Sequence, residues 1–167
     1  MFKKLLTLFS LAMVVFSGCT TEKLPAAVEN FDVTKYMGKW HEFARLPNWF
    51  EKGMKDVSAE YILQKNGTVR VINRGKLEGK EKSITGVARI VGEGKTGELE
   101  VSFFRPFYGS YRIIKLAPDY RYSVVCGGEK ALLWVLSREK KVSAEDWEEI
   151  SGFLEKSGFP VEKLIFT

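Results

Sequence analysis

The chain has 167 residues, 45% of them hydrophobic and 28% charged, with a formal net charge of +5. That length holds one domain with a sizeable core, and the composition excludes both a disordered chain and a polytopic membrane protein. No basic run exceeds a pair, which is too diffuse for nucleic acid, and one histidine with two cysteines leaves little for a metal centre or a disulfide framework.

The first element is not part of the fold. Lys3-Lys4 and the apolar run Leu5 to Phe16 have the layout of a signal peptide over residues 1–18, too short to span a bilayer stably. The run ends in Phe16-Ser17-Gly18-Cys19, which resembles the lipobox of bacterial lipoproteins, with Phe16 where an aliphatic residue is usual. The resemblance implies that Cys19 is diacylated and becomes the mature N-terminus; two acyl chains hold a protein on a membrane where one does not. The alternative is an ordinary signal peptide that leaves Cys19 a free thiol. Thr20, rather than Asp, resembles lipoproteins sorted onward to the outer membrane. Residues 19–30 are then a lipidated N-terminus and polar tether, and loss of Lys3 and Lys4 lowers the charge to +3.

The domain spans residues 31–167. Asp32 caps a helical turn through Tyr36, stopped by Gly38. Eight β-rich runs follow: Lys39–Leu46, Ser58–Gln64, Thr68–Arg74, Ser83–Val91, Glu98–Phe104, Ser110–Leu116, Tyr122–Cys126 and Ala131–Ser137. Asn66-Gly67 is a strong hairpin signal, and Gly92, Gly94, Gly97, Pro118-Asp119 and Gly127-Gly128 mark further turns. Alternation gives nearly every run one apolar face, clearest where Leu99, Val101 and Phe103 oppose Glu98, Glu100 and Ser102. Such a meander closes most economically as an all-β, eight-stranded, up-and-down antiparallel barrel, which removes open sheet edges. Ser143 and Asp146 then open a helix with a Trp147, Ile150, Leu154 stripe, ended by Gly158 and Pro160 and packed outside the barrel. Lys163–Thr167 is a short last strand.

Gly38-Lys39-Trp40 before the first strand resembles the G-x-W signature of lipocalins. The likeness continues through WHEFARL, SAEYIL, VRVINRG, VSFFRPFYG, YSVVCG and LWVLSR, and is nearest to bacterial outer-membrane lipocalins. It implies that Gly38, Trp40 and Arg138 form the structural signature, the Trp plugging the closed end under the Arg. The family's Asp at the turn after the sixth strand aligns with Ala117, whereas Asp119-Tyr120 lies two residues later.

By parity the inward set is Tyr61, Leu63, Val71, Asn73, Ala88, Ile90, Val101, Phe103, Tyr111, Ile113, Trp134 and Leu136, with Gly86 and Ala88 leaving space. All of these except Leu63, Ile90 and Gly86 are the candidate ligand contacts. An apolar wall with few polar points suits a fatty acid or lysophospholipid, although the same pattern also describes a filled, purely structural barrel. The resemblance implies a non-enzymatic lipid carrier for storage, transport or scavenging, needing no cofactor, anchored through Cys19 on the periplasmic face of a bacterial outer membrane, with a homodimer left open. The enzymatic alternative would draw on Cys126, His41 or Tyr111. His41 points away from Trp40's side, so neither a metal cluster nor a Ser/His/Asp triad builds around it. Phe104 to Tyr108 reads either as an exposed apolar loop or as a packed one.

Overall fold

A computed structural model describes residues 23–167; the expected signal peptide and Cys19 lie outside the described residues. Eight antiparallel strands form the barrel: β1 Gly38–Arg45, β2 Met54–Leu63, β3 Val69–Leu77, β4 Lys80–Ile90, β5 Glu98–Phe104, β6 Phe107–Leu116, β7 Tyr122–Cys126 and β8 Leu133–Ser137. Each pairs with the next, and β1 closes the ring by pairing with both β2 and β8. A two-residue β9, Ile165–Phe166, adds to β1 at Ala44 and Arg45. The eight-stranded up-and-down barrel expected from the hydrophobic alternation is the observed fold.

The departures concentrate at one end. β2 begins at Met54 rather than Ser58, with a register shift between Lys55 and Ser58. β3 continues to Leu77 and turns into β4 through Glu78-Gly79, both at positive φ, the geometry a tight hairpin needs. Its tip, Glu78 to Lys82, is exposed and polar, so alternation carries no signal there, while Met54 and Val57 at its base border the cavity. β6 starts at Phe107, which makes the expected Phe104–Tyr108 loop a tight β5–β6 hairpin. The loops after β1, β3, β5 and β7 define the open end, and those after β2, β4 and β6 the closed one.

Helix α1 (Val33–Tyr36), capped by the Asp32 side chain on the Thr34 amide, lies across the closed end. Helix α2 (Ala144–Lys156) packs outside the barrel. Ser143 accepts from the Asp146 amide at its start, and Gly158 at φ 75° ends it, with the Phe159 amide bonded to the Leu154 carbonyl. Two cores result. The outer one joins Ile150 and Leu154 to Ala44, Val124, Cys126, Leu133 and Val135; the inner one gathers Trp40, Tyr36, Val69, Ala88, Leu99, Ile113 and Val125 inside the barrel. Each large apolar side chain so buried contributes roughly 1.5–3 kcal/mol.

One irregularity in β1 serves both cores. Trp40 and Glu42 point inward as alternation requires, but the pairing with β8 slips between Glu42 and Ala44. Past that bulge, Phe43 and Ala44 both face outward, Phe43 packing edge-on against Trp147 and Phe166, while Arg45 turns inward and is 2% exposed.

The segment before α1 is also ordered. Phe31 donates its amide to the Lys95 carbonyl at the closed end, and Val28 bonds to Ile113 and Gly97. The Pro25 carbonyl reaches Arg112, which pairs with Cys126 at the open-end limit of β7. This segment therefore runs along the outside of the barrel, with Leu24 packed against the outer core.

Candidate binding cavity

The closed end is sealed by the residues of the signature. Trp40 is fully buried, donates its indole N–H to the Tyr36 carbonyl at 2.8 Å, and lies 3.9 Å beneath the Arg138 guanidinium. Arg138 also donates to the carbonyls of Lys35 and Lys39, at 2.7 and 3.0 Å. The stacked cation adds roughly 0.5–2 kcal/mol. Gly38 is required here by its φ of 93°, a left-handed conformation that side chains rarely adopt. At the β6–β7 turn, the Asp119 carboxylate accepts from the Arg121 amide and guanidinium, and the Tyr120 hydroxyl accepts from the Asp32 amide. The side-chain hydrogen bonds of this turn therefore come from Asp119, two residues beyond Ala117.

Above this plug the barrel is hollow. A cavity of about 570 Å³ opens at the other end. Of the ten expected contacts, Tyr61, Val71, Asn73, Val101, Phe103, Tyr111, Trp134 and Leu136 line it. Ala88 and Ile113 do not; both are wholly buried in the inner core beneath the cavity. Parity assigns a residue to the inside of the barrel but not to a height along it. Leu63, at the closed-end limit of β2, is 39% exposed and also contributes nothing to the cavity. Gly86 likewise leaves no space, because an added Cβ would strike the Ser102 carbonyl and the Phe103 ring.

The floor carries a chain of phenols. Tyr111 Oη lies 2.8 Å from both Tyr36 Oη and Tyr61 Oη, and Tyr36 Oη also reaches Ser123 Oγ at 3.1 Å. Burial raises the pKa of all three hydroxyls, Tyr36 to about 12 and Tyr61 and Tyr111 well above the usual phenol value, so the floor is neutral and held by shared protons.

The wall contains a buried charged group that the strand pattern only half discloses. Glu42 pairs with Arg45, which donates as well to the carbonyls of Glu51 and Met54. The Glu51 carboxylate accepts from Trp134 Nε1 at 2.9 Å and Asn48 Nδ2 at 2.7 Å. Glu42 and Glu51 both border the cavity. Burial, and then the second carboxylate, push the Glu42 carboxyl up to about 7. Glu42 could have been read as inward two residues from Trp40; Arg45 could not, because the bulge moved it. The rim residues Trp49, Phe50 and Phe107 also border the opening.

The residues considered for catalysis do not converge. Tyr111 is in the floor, Cys126 is fully buried in the outer core with its thiol raised by burial to about 11, and His41 sits on the opposite face of β1 from Trp40 and Glu42, its pKa lowered by burial. Among the described residues no group of three or more His, Cys, Asp and Glu side chains is placed to hold a metal ion.

Comparison with known proteins agrees with this architecture. A family model described as a lipocalin-like domain matches residues 31–167. The chain is 39% identical over 156 residues to the outer membrane lipoprotein Blc of Citrobacter freundii, covering 92% of this chain and 88% of that protein. It is 37% identical over 162 residues to Blc of Vibrio cholerae, covering 93% and 94%. Among solved structures, insecticyanin of Manduca sexta superposes with a TM-score of 0.71 at 20% identity, covering 86% of this chain and 83% of that one. A barrel plugged by an indole under a guanidinium, matched over its whole domain by that family model, places the chain in the lipocalin family.

Proposed function

We propose that this protein is a lipid-anchored lipocalin that holds a monoacyl lipid, a fatty acid or a lysophospholipid, in its barrel for storage, transport or scavenging in the cell envelope. The observation that carries the reading is the open, mostly apolar cavity of about 570 Å³ above a sealed floor. That volume lies within the range of small-molecule pockets, and its wall of Val71, Val101, Phe103, Trp134 and Leu136 suits an acyl chain, with polar groups confined to the phenol floor, Asn73 and the Glu42–Arg45–Glu51 cluster. Of the groups considered for catalysis, Cys126 and His41 stand outside the cavity, and Tyr111 in its floor is tied to Tyr36 and Tyr61.

The anchor is part of the same proposal: acylation of Cys19 would tether the barrel to the periplasmic face of the outer membrane, in keeping with the outer membrane lipoproteins it resembles. Native mass spectrometry of gently extracted protein should show a co-purified monoacyl lipid, and the delipidated barrel should take up a fluorescent fatty acid. Folded protein that accepts no fatty acid, lysophosphatidylethanolamine or lysophosphatidylcholine would overturn the carrier reading. Intact mass of the mature N-terminus tests the anchor separately.

A further inference from the structure

The three most exposed aromatic side chains in the described chain are gathered at one place. Trp49 is 86% exposed, Phe107 77% and Phe104 73%, with Phe50 beside Trp49 at 46%. They sit on two hairpin tips, the β1–β2 loop and the β5–β6 turn, and all four border the cavity mouth. Single exposed apolar residues need no explanation, but four aromatic ones clustered around an opening do.

The same end bears exposed positive charge. Lys52, Lys55, Lys80, Lys82 and Arg105 lie around the mouth. Of the acidic residues there, Glu51 is held by Trp134, Asn48 and Arg45, and Asp56 is paired with Lys76. Glu78, Glu81 and Glu129 are the exposed counterweights, Glu81 within 3.9 Å of Lys76. Aromatic tips ringed by basic side chains are complementary to an anionic bilayer surface, where rings settle at headgroup depth and each basic residue contributes about 1 kcal/mol.

We infer that the open end is a membrane-docking surface: Trp49, Phe50, Phe104 and Phe107 insert into an anionic bilayer while the basic rim engages its headgroups, seating the cavity mouth directly on the lipid. A monoacyl lipid would then pass between bilayer and barrel without crossing water. Docking depends neither on acylation of Cys19 nor on occupancy of the cavity, so its failure is separate from failure of the carrier reading.

The test uses the unacylated chain from residue 20 onward, which contains every strand, both helices and both cores. It is mixed with vesicles rich in phosphatidylglycerol whose acyl chains carry bromine, and with matching phosphatidylcholine vesicles. Binding to the anionic vesicles, weakened by salt, with bromine quenching of tryptophan emission is expected. A Trp49→Ser, Phe104→Ser, Phe107→Ser variant should partition at least about tenfold less and lose the quenchable component, leaving the emission of the interior tryptophans. A Lys80→Glu, Lys82→Glu, Arg105→Glu variant should lose the preference for anionic lipid. Near-ultraviolet circular dichroism monitors folding of both variants, whose substituted positions are on the surface. Equal partitioning of wild type and aromatic variant would overturn the inference. So would absence of vesicle binding together with a dimer that the aromatic variant abolishes, which would assign the patch to a second copy of the chain.

Discussion

The two ends of the barrel use the same kinds of residue for opposite ends. At the closed end every aromatic ring has a polar or aromatic partner: Trp40 lies between the Tyr36 carbonyl and Arg138, Phe31 packs edge-on against Tyr36, and Tyr120 bonds to Asp32. At the open end Trp49, Phe104 and Phe107 stand largely in water. A ring contributes to stability by what covers it, so tryptophan and phenylalanine in a local sequence do not reveal which fate they meet. Closure of the barrel decides it: the residues that converge at the start of β1 are sealed by α1 and Arg138, whereas nothing in the described chain crosses the mouth.

The contrast is most directly broken from below. Trp40→Ala should cost ~3–5 kcal/mol in urea unfolding, because the void at the floor of the inner core cannot collapse without moving α1 and Arg138. A loss near zero would mean that the plug is not structural.

Between plug and mouth, Glu42 gives a dependence on pH. Its carboxyl is raised to about 7 from an ordinary 4.5, so the folded state holds that proton more tightly than the unfolded chain. Stability from this group is therefore greatest below about 4.5 and falls as pH rises through about 7, by an amount on the order of 1–3 kcal/mol. His41, with a lowered pKa, slopes the other way over part of that window. The measurement is accordingly the difference between wild type and Glu42→Gln in unfolding midpoints across the range, and the variant should lack the decline.

A smaller change sharpens the floor. Tyr111→Phe removes the shared member of the phenol chain, leaving Tyr61 without its hydroxyl partner while Tyr36 keeps Ser123. The expected cost is about 1–2 kcal/mol, and the Tyr61→Phe, Tyr111→Phe double variant should recover part of it. At the rim, Phe107→Ser should change unfolding by no more than about 0.5 kcal/mol, since an exposed ring has little packing to lose.

Much of the barrel was legible because strand alternation is a strong and local signal. Tyr61, Val71, Asn73, Val101, Phe103, Tyr111, Trp134 and Leu136 could be assigned to the cavity by counting in twos, and the helix by its caps. What counting could not supply was height. Ala88 and Ile113 share the inward face with true lining residues yet lie in the packed half, because how deep a position sits depends on strand tilt and stagger across the whole ring. Nor could it supply the loop residues that border the opening, or Arg45, whose direction is set by a dislocation in pairing with a strand some ninety residues away.

That dislocation makes β1 a strand with two addresses. Below Phe43 its alternate side chains furnish the plug; above it, the alternation restarts on the opposite beat, so that one stretch of backbone supplies Ala44 to the helix side and Arg45 to the lumen. Strict alternation continued from Glu42 without the slip would instead push the guanidinium beneath the helix and a small apolar group into the wall. The slip, more than the identity of either residue, therefore decides which side of the wall each one serves.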